Sequence, residues 1–172
     1  PASALGIVDG PDEDMEVMPA AFFAAINAAK EEILIATPYF LPTAVLMAAL
    51  RLAAIRGVKV RILTPKVNNI PFVAWAAQTL YPQLLQVGCR IFESPPPFDH
   101  TKIFIVDGVW SFIGSTNWDP RSLRLNFEFN VGFYDRELAT RLREILRQKR
   151  SISQQVTREG LEGAPLSQQL SN

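Results

Sequence analysis

Residues 32–63 read EILIATPYFLPTAVLMAALRLAAIRGVKVRIL, and the fold follows from how that stretch divides. Residues 33–50 carry no charge and are numerous enough to cross a bilayer as a helix. Pro38 and Pro42, however, bracket Tyr39-Phe40-Leu41, and the texture changes there from β-branched to Ala/Leu-rich. A strand, a turn and a helix account for this better than a membrane span. The continuous apolar run at 32–36 predicts a strand covered on both faces. A helix follows over 43–55, with Thr43 as N-cap and Gly57 as its stop. The alternation at 58–63 predicts a half-covered strand.

Working outward, Leu5-Gly6-Ile7-Val8 predicts a short strand, followed by an acidic loop reaching to about residue 15. A helix is expected over 16–30, with Phe22, Phe23, Ile26 and Ala29 on one face. Residues 71–87 are helical in texture, although Pro82 should kink or split them. Gly88 ends that segment, and 89–93 form a short strand in which Cys89 is an inert buried thiol. Beyond the stiff Ser94-Pro95-Pro96-Pro97 connection, Asp107-Gly108 separates two apolar runs, a strong hairpin signal. Residues 125–133 alternate, with Leu125, Phe127, Phe129, Val131 and Phe133 on one face and Asn126, Glu128, Asn130 and Gly132 on the other. A last helix spans 136–149, with Leu138, Leu142, Ile145 and Leu146 inward and its arginines outward. The predicted class is α/β, a mixed, largely parallel β-sheet flanked by helices on both faces. One domain reaches to about residue 150, and the Gln/Ser/Gly-rich tail at 151–172 has little to pack.

The 172 residues are 48% hydrophobic and 20% charged, enough for one sizeable core. Seventeen Lys and Arg balance seventeen Asp and Glu, and the missing basic excess counts against a nucleic-acid partner. A single cysteine excludes an internal disulfide, and there is no Cys/His cluster of the kind that holds zinc. A first residue of Pro rather than Met reads as a fragment of a longer chain.

The only histidine is His100. Lys102 follows it, then Asp107, then Gly114-Ser115-Thr116-Asn117. His100 and Lys102 on one face place a potential nucleophile beside a fixed positive charge, which suits phosphate chemistry. Singly, none of these residues carries much information; their joint spacing does. His-x-Lys, four residues, Asp, six residues, Gly-Ser-x-Asn resembles the HKD motif of the phospholipase D superfamily. The resemblance extends through 32–42, 56–63 and 117–130 to the carboxy-terminal half of bacterial cardiolipin synthases, covering roughly residues 5–150. Pro82 and Trp118 depart from that pattern.

The resemblance implies phosphatidyl transfer through a phosphohistidine, with phosphatidylglycerol as donor and acceptor. Water as acceptor would make the same site a phospholipase D, and a homodimer would make a phosphodiesterase or endonuclease. His100 is one of two histidines such a site needs, either the nucleophile or the general acid, a choice the motif leaves open. Lys102 and Asn117 are expected to hold the non-bridging oxygens, with Ser115 of the Gly114-Ser115 turn adding a donor. Glu128 is expected to orient His100. Asp107 supports the motif, as a turn residue rather than as chemistry. Arg121 and Ser122 either line the cleft or cap the next element. Tyr39 and Phe40 either border a lipid-sized groove or belong to the core. No metal or cofactor is implied. The missing histidine comes from a second half domain, in the same full-length chain or in a second copy. A membrane surface is the expected setting, the full-length protein lying at the bacterial cytoplasmic membrane and the fragment itself being soluble. A scaffold would have no need of these side chains together.

Overall fold

The computed structural model describes residues 3–10, 17–123 and 125–162. In chain order the elements are β1 (Ser3–Asp9), α1 (Val17–Ala28), β2 (Glu32–Ala36), α2 (Ala44–Ile55), β3 (Lys59–Pro65), α3 (Pro71–Gln86) and β4 (Arg90–Ser94). They continue with β5 (Ile103–Val106), β6 (Trp110–Gly114), β7 (Glu128–Tyr134), α4 (Arg136–Ser151), β8 (Gln154–Gln155) and α5 (Arg158–Glu162). The charge-free run therefore splits at its prolines, and among the described residues no helix is long and apolar enough to cross a membrane. Thr43 caps α2 by accepting from the Leu46 amide, and Gly57 leaves it at φ +94°.

The described strands form one sheet in the order β1-β7-β6-β5-β2-β3-β4-β8. It is mixed, as expected, but parallel pairing is confined to β2–β3 and β3–β4; the other pairs are antiparallel. The expectation of a largely parallel sheet is corrected by the second half of the chain. Tight connections such as that between β5 and β6 reverse the direction, whereas each parallel step needs a helical crossover.

Helices cover both faces. On one side Phe22 and Ile26 of α1, Leu50 of α2 and Leu84 of α3 pack with Ile33, Ile35, Val60, Ile62 and Phe104. On the other, Ala139, Leu142 and Leu146 of α4 cover Leu34, Ala36, Leu63 and Ile105. β2 is buried along its whole length between them, as its unbroken apolar run requires. Cys89 is a buried free thiol, and burial pushes its pKa up to about 12.

Several local expectations change. Pro82 lies inside one uninterrupted helix, α3, where buried Tyr81 and Leu84 hold the turns around it. Phe23 and Ile145 point outward, each more than two-fifths exposed. The chain after Ser151 does find packing, because β8 pairs with β4 and Leu161 of α5 rests on the main core; residues 163–172 and the acidic loop at 11–16 lie outside the described residues. The alternation in β7 is turned with its polar side inward. Its polar side, Glu128, Asn130 and Gly132, is buried, while Phe127 just before it and Phe129 within it are 71% and 59% exposed. Hydrophobicity alone assigns the two faces the wrong way round, because the polar side chains have work inside.

The hairpin between β5 and β6 is tied down at its turn. Asp107 and Gly108 both take positive φ, 53° and 60°, and the Val109 amide donates to the Val106 carbonyl at 3.1 Å. The Asp107 carboxylate accepts from the amides of Lys30, Glu31 and Glu32 at 2.8–2.9 Å, so it caps the entry into β2. Asp107→Ala should lower the unfolding free energy by about 2 kcal/mol, read as an earlier urea midpoint. An unchanged midpoint would mean that the three amides find other partners.

Candidate active site

β5 begins and β6 ends at the edge of the sheet where β2 and β3 finish. His100 lies just before β5, at that edge and exposed. The Lys102 ammonium sits 3.1 Å from Nδ1 and 3.2 Å from Nε2 of His100, and donates to the His100 carbonyl at 3.1 Å. Phe98 and Tyr39 flank the imidazole, with ring centroids 5.7 and 6.2 Å away. The Tyr39 hydroxyl is fixed on Asn69 at 2.7 Å. Phe40, by contrast, is core, at 1% exposed.

Asp99 holds this segment in place. Its carboxylate accepts from the Thr101 amide and hydroxyl, and from Lys149 of α4 at 2.6 Å. Burial works against the Asp99 charge, but Lys149 and Thr101 outweigh it and hold its pKa below the ordinary value.

The Gly114-Ser115-Thr116-Asn117 turn is fixed by Asn130, fully buried on β7. Asn130 Oδ1 accepts from the Thr116 amide at 3.1 Å, and its Nδ2 donates to Thr116 Oγ1 at 2.7 Å. Gly114 makes room for it, since a Cβ there would lie 2.0 Å from Asn130 Oδ1 and 2.6 Å from Asn130 Cα. Ser115 closes the β6–β7 ladder: its hydroxyl accepts from the Phe129 amide at 3.0 Å and its amide donates to the Phe129 carbonyl. The Trp118 amide bonds the Tyr39 carbonyl, and the Trp118 indole, 2% exposed, stacks on Phe22 with centroids 4.6 Å apart. The large residue where a small one was expected thus joins the turn to the core.

Asn117 is buried, and its amide donates to Ser122 Oγ at 2.8 Å. Ser122 Oγ in turn donates to Glu128 Oε1 at 2.6 Å, and Asn126 Nδ2 reaches the same oxygen at 3.2 Å. Asp119 caps the intervening turn by accepting from the Arg121 and Ser122 amides, both at 3.0 Å. Among the described residues Asn117 Oδ1 has no hydrogen-bond partner.

His100, Lys102, Asn117 and Glu128 thus belong to one edge, with Ser115 and Gly114 behind them. Glu128 does not make the bond to His100 that orientation would need; among the described residues its bonds are to Ser122 and Asn126, and its charge acts on Lys102. Asp107 is at the far end of β5, where about 3.3 Å per residue puts it roughly 16 Å from Lys102, and its carboxylate is engaged by the amides of residues 30–32. Asp99, Asp119, Asn126 and Asn130 were not singled out from the sequence. For Asn130 the signal was available: a polar side chain at the inward position of an alternating strand.

Burial lowers the Lys102 pKa, opposed by the charges of Glu128, Asp119 and Asp99. Burial and then the neighbouring Lys102 charge lower that of His100 from its usual 6.5. Both effects favour the neutral imidazole over the protonated ring. A neutral ring next to a cation can attack a phosphorus atom while the cation stabilises the charge that develops on oxygen.

Residues 22–150 match the family described as "Cardiolipin synthase, PLD-like domain". The chain belongs to that family. It is 41% identical over 128 residues to a cardiolipin synthase of Geobacillus thermodenitrificans, which covers 74% of this chain and 26% of the relative. It is 34% identical over 149 residues to the cardiolipin synthase of Staphylococcus aureus, covering 87% and 30%. The chain thus spans between a quarter and a third of the length of these relatives. Among solved structures, the phospholipase D family member Nuc from Salmonella typhimurium superimposes with a TM-score of 0.76 at 23% identity, covering 91% of this chain and 99% of that one. The phosphatidylserine synthase of Haemophilus influenzae gives 0.73 at 16% identity, covering 90% and 40%. These last two likenesses carry the fold alone.

Because His100 is the single histidine, its ring protons give one titration curve by NMR. The midpoint should fall below 6.5 and move upward in Lys102→Ala. The sign for stability follows: protonation favours the unfolded chain, so this group's contribution is complete above pH 6.5 and is lost as pH falls through the folded value. A midpoint above 6.5, or one insensitive to Lys102, would overturn this electrostatic reading.

Proposed function

We propose that this chain is a half domain of a phosphatidyltransferase of the cardiolipin synthase type, supplying His100, Lys102 and Asn117 to a site that a second half domain completes. The observation that carries the reading is the Lys102 ammonium within 3.2 Å of both nitrogens of the His100 ring, on a chain of the cardiolipin synthase family. An imidazole nitrogen attacks the phosphorus of a phosphatidyl donor, the bond to the donor's glycerol oxygen breaks, and a general acid protonates that oxygen. A second lipid alcohol, with phosphatidylglycerol as both donor and acceptor, then gives its proton back to that deprotonated acid, forms a bond to the phosphorus and expels the imidazole, which restores the ring and the acid. Lys102 and Asn117 face the non-bridging oxygens. Ser115 and Gly114 contribute through the turn that holds Asn117. Ser122 and Glu128 act as positioning residues behind it. Whether His100 attacks or protonates depends on the histidine of the other half.

The exposed apolar side at β7 favours such a pairing. Phe127 and Phe129, together with Val8 on β1, are each more than half exposed and lie beside the Ser115 turn. An apolar surface this close to a half-complete site fits a second half domain, either a further part of the same chain or a second copy. At the same edge, exposed Phe72 and Trp75 near the start of α3 fit the interface of a bilayer that presents the lipid.

The test is cardiolipin and glycerol formation from phosphatidylglycerol in detergent, by a tandem fusion of two copies of this chain. The expected result is activity that falls at least a thousandfold, on the order of 4 kcal/mol of transition-state stabilisation, in His100→Ala, and an acid-labile phosphoramidate (phosphatidyl-histidine) trapped on the unsubstituted fusion. Plasmid nicking without lipid transfer would replace the reading with a nuclease. Phe127→Ser with Phe129→Ser should weaken self-association by sedimentation without lowering the thermal midpoint; unchanged association would move the pairing surface elsewhere.

A further inference from the structure

A second cluster of charge lies on the other side of the sheet. A cavity of about 380 Å³ opens between α4 and the strands β2, β3 and β4. Its floor is apolar, formed by Leu34, Leu63, Phe92 and Leu146. Its rim is largely arginine. Arg61 lies in the cavity wall, and the parallel register pairs it with Arg90, so the two side chains leave the same face of adjacent strands. From α4 come Arg143, Arg147 and Arg150, spaced i, i+4 and i+7, which makes them one stripe along the helix. As expected, these arginines face outward, Arg143 and Arg147 more than half exposed, and they do so along the cavity rim.

Two carboxylates stand against these five guanidinium groups. Glu32 pairs with Arg61 at 3.1 Å and with Arg143, and Glu144 takes both bonds from Arg147 at 2.7 Å. Arg150 is held over the Phe92 ring, 5.6 Å from its centroid. The crowding has a chemical signature: burial and then neighbouring arginines lower the pKa of both Arg61 and Arg150. Packing like charges around an apolar floor is costly unless an anion relieves it. Guanidinium forks match phosphate oxygens in pairs, and the apolar floor gives an attached non-polar group somewhere to lie. The volume exceeds the roughly 30 Å³ of a water several times over and falls in the range of small-molecule sites.

We propose that this cavity is an anion site, distinct from the histidine site, which takes a phosphate group carried on an apolar body. Its separateness follows from the sheet. Ile103 faces α4 and Phe104 faces the opposite helices, so alternation puts Lys102 on the side away from the cavity. The proposal does not depend on the phosphatidyl transfer reading. The phosphate could arrive on a lipid headgroup or on a free soluble compound, and the two are separable by experiment.

The whole chain, carrying Lys102→Ala to silence phosphate affinity at the histidine site, is titrated calorimetrically with inorganic phosphate and, separately, with dihexanoyl phosphatidylglycerol below its micelle concentration. Binding should be present and should weaken as salt rises. It should weaken at least about tenfold when Arg147→Gln and Arg150→Gln are added. Arg147→Lys with Arg150→Lys should retain part of it. Arg150→Gln alone, which removes one rim guanidinium and its contact over Phe92 but no ion pair among the described residues, covers the case in which the double variant misfolds by circular dichroism, and it too should weaken binding. Tighter binding of the short-chain lipid assigns the site to a headgroup; tighter binding of inorganic phosphate assigns it to a soluble ligand. No binding of either probe, binding indifferent to the arginines, or equal binding of dihexanoyl phosphatidylcholine would overturn the proposal.

Discussion

The buried amide of Asn130 is the constraint on which the site depends. It lies across the end of β6 because Gly114 has no side chain there, and from that position it holds both the amide and the hydroxyl of Thr116. Thr116 fixes the turn, the turn fixes Asn117, and the Asn117 amide starts a relay through Ser122 to the Glu128 carboxylate. In a low-dielectric interior such a network is strong when complete and costly when broken. Gly114 and Asn130 therefore act as a pair: a methyl group at Gly114 would displace the amide that holds the turn. This also explains why the polar side of β7 faces inward and its phenylalanines face out.

Around that frame the charges divide by location. At the histidine edge burial lowers the Lys102 pKa, and the fields of Glu128, Asp119 and Asp99 oppose that shift. Burial, and after it the same ammonium, lowers the proton affinity of His100. In the proposed reaction that one cation both bears on the ring's protonation and faces the phosphate. Beneath α4 the balance is reversed, with arginine in excess. A formal net charge of zero over the whole chain is the sum of two unlike regions, and as a single number it hid both.

The elements of the first half were legible because local rules agreed with tertiary demand. The prolines at 38 and 42 cut the apolar run, Gly57 ended α2, and Asp107-Gly108 formed the turn its φ preferences favour. The sheet's parallel content was overestimated because antiparallel pairing between non-consecutive strands, such as β2 with β5 and β1 with β7, leaves no local signature. His100 and Lys102 could be singled out from their spacing. Glu128 was found but given a partner it does not contact, since spacing says which face a side chain takes and not what it touches there. Asn130 and Asp99 were missed for the same reason: their importance lies in partners 14 and 50 residues away.

The contact of Asp99 with Lys149 has a reach beyond its own ion pair. Lys149 belongs to α4, between the arginines that overhang the rear cavity, and Asp99 is the immediate neighbour of His100. A single 2.6 Å bond therefore spans from the helix over one face of the sheet to the reactive edge. Should occupancy beneath α4 alter affinity at the histidine, this bond is a direct physical route between them. Linkage then requires the influence to be mutual: an anion that tightens substrate binding by some factor must itself be held more tightly, by that same factor, when substrate is present.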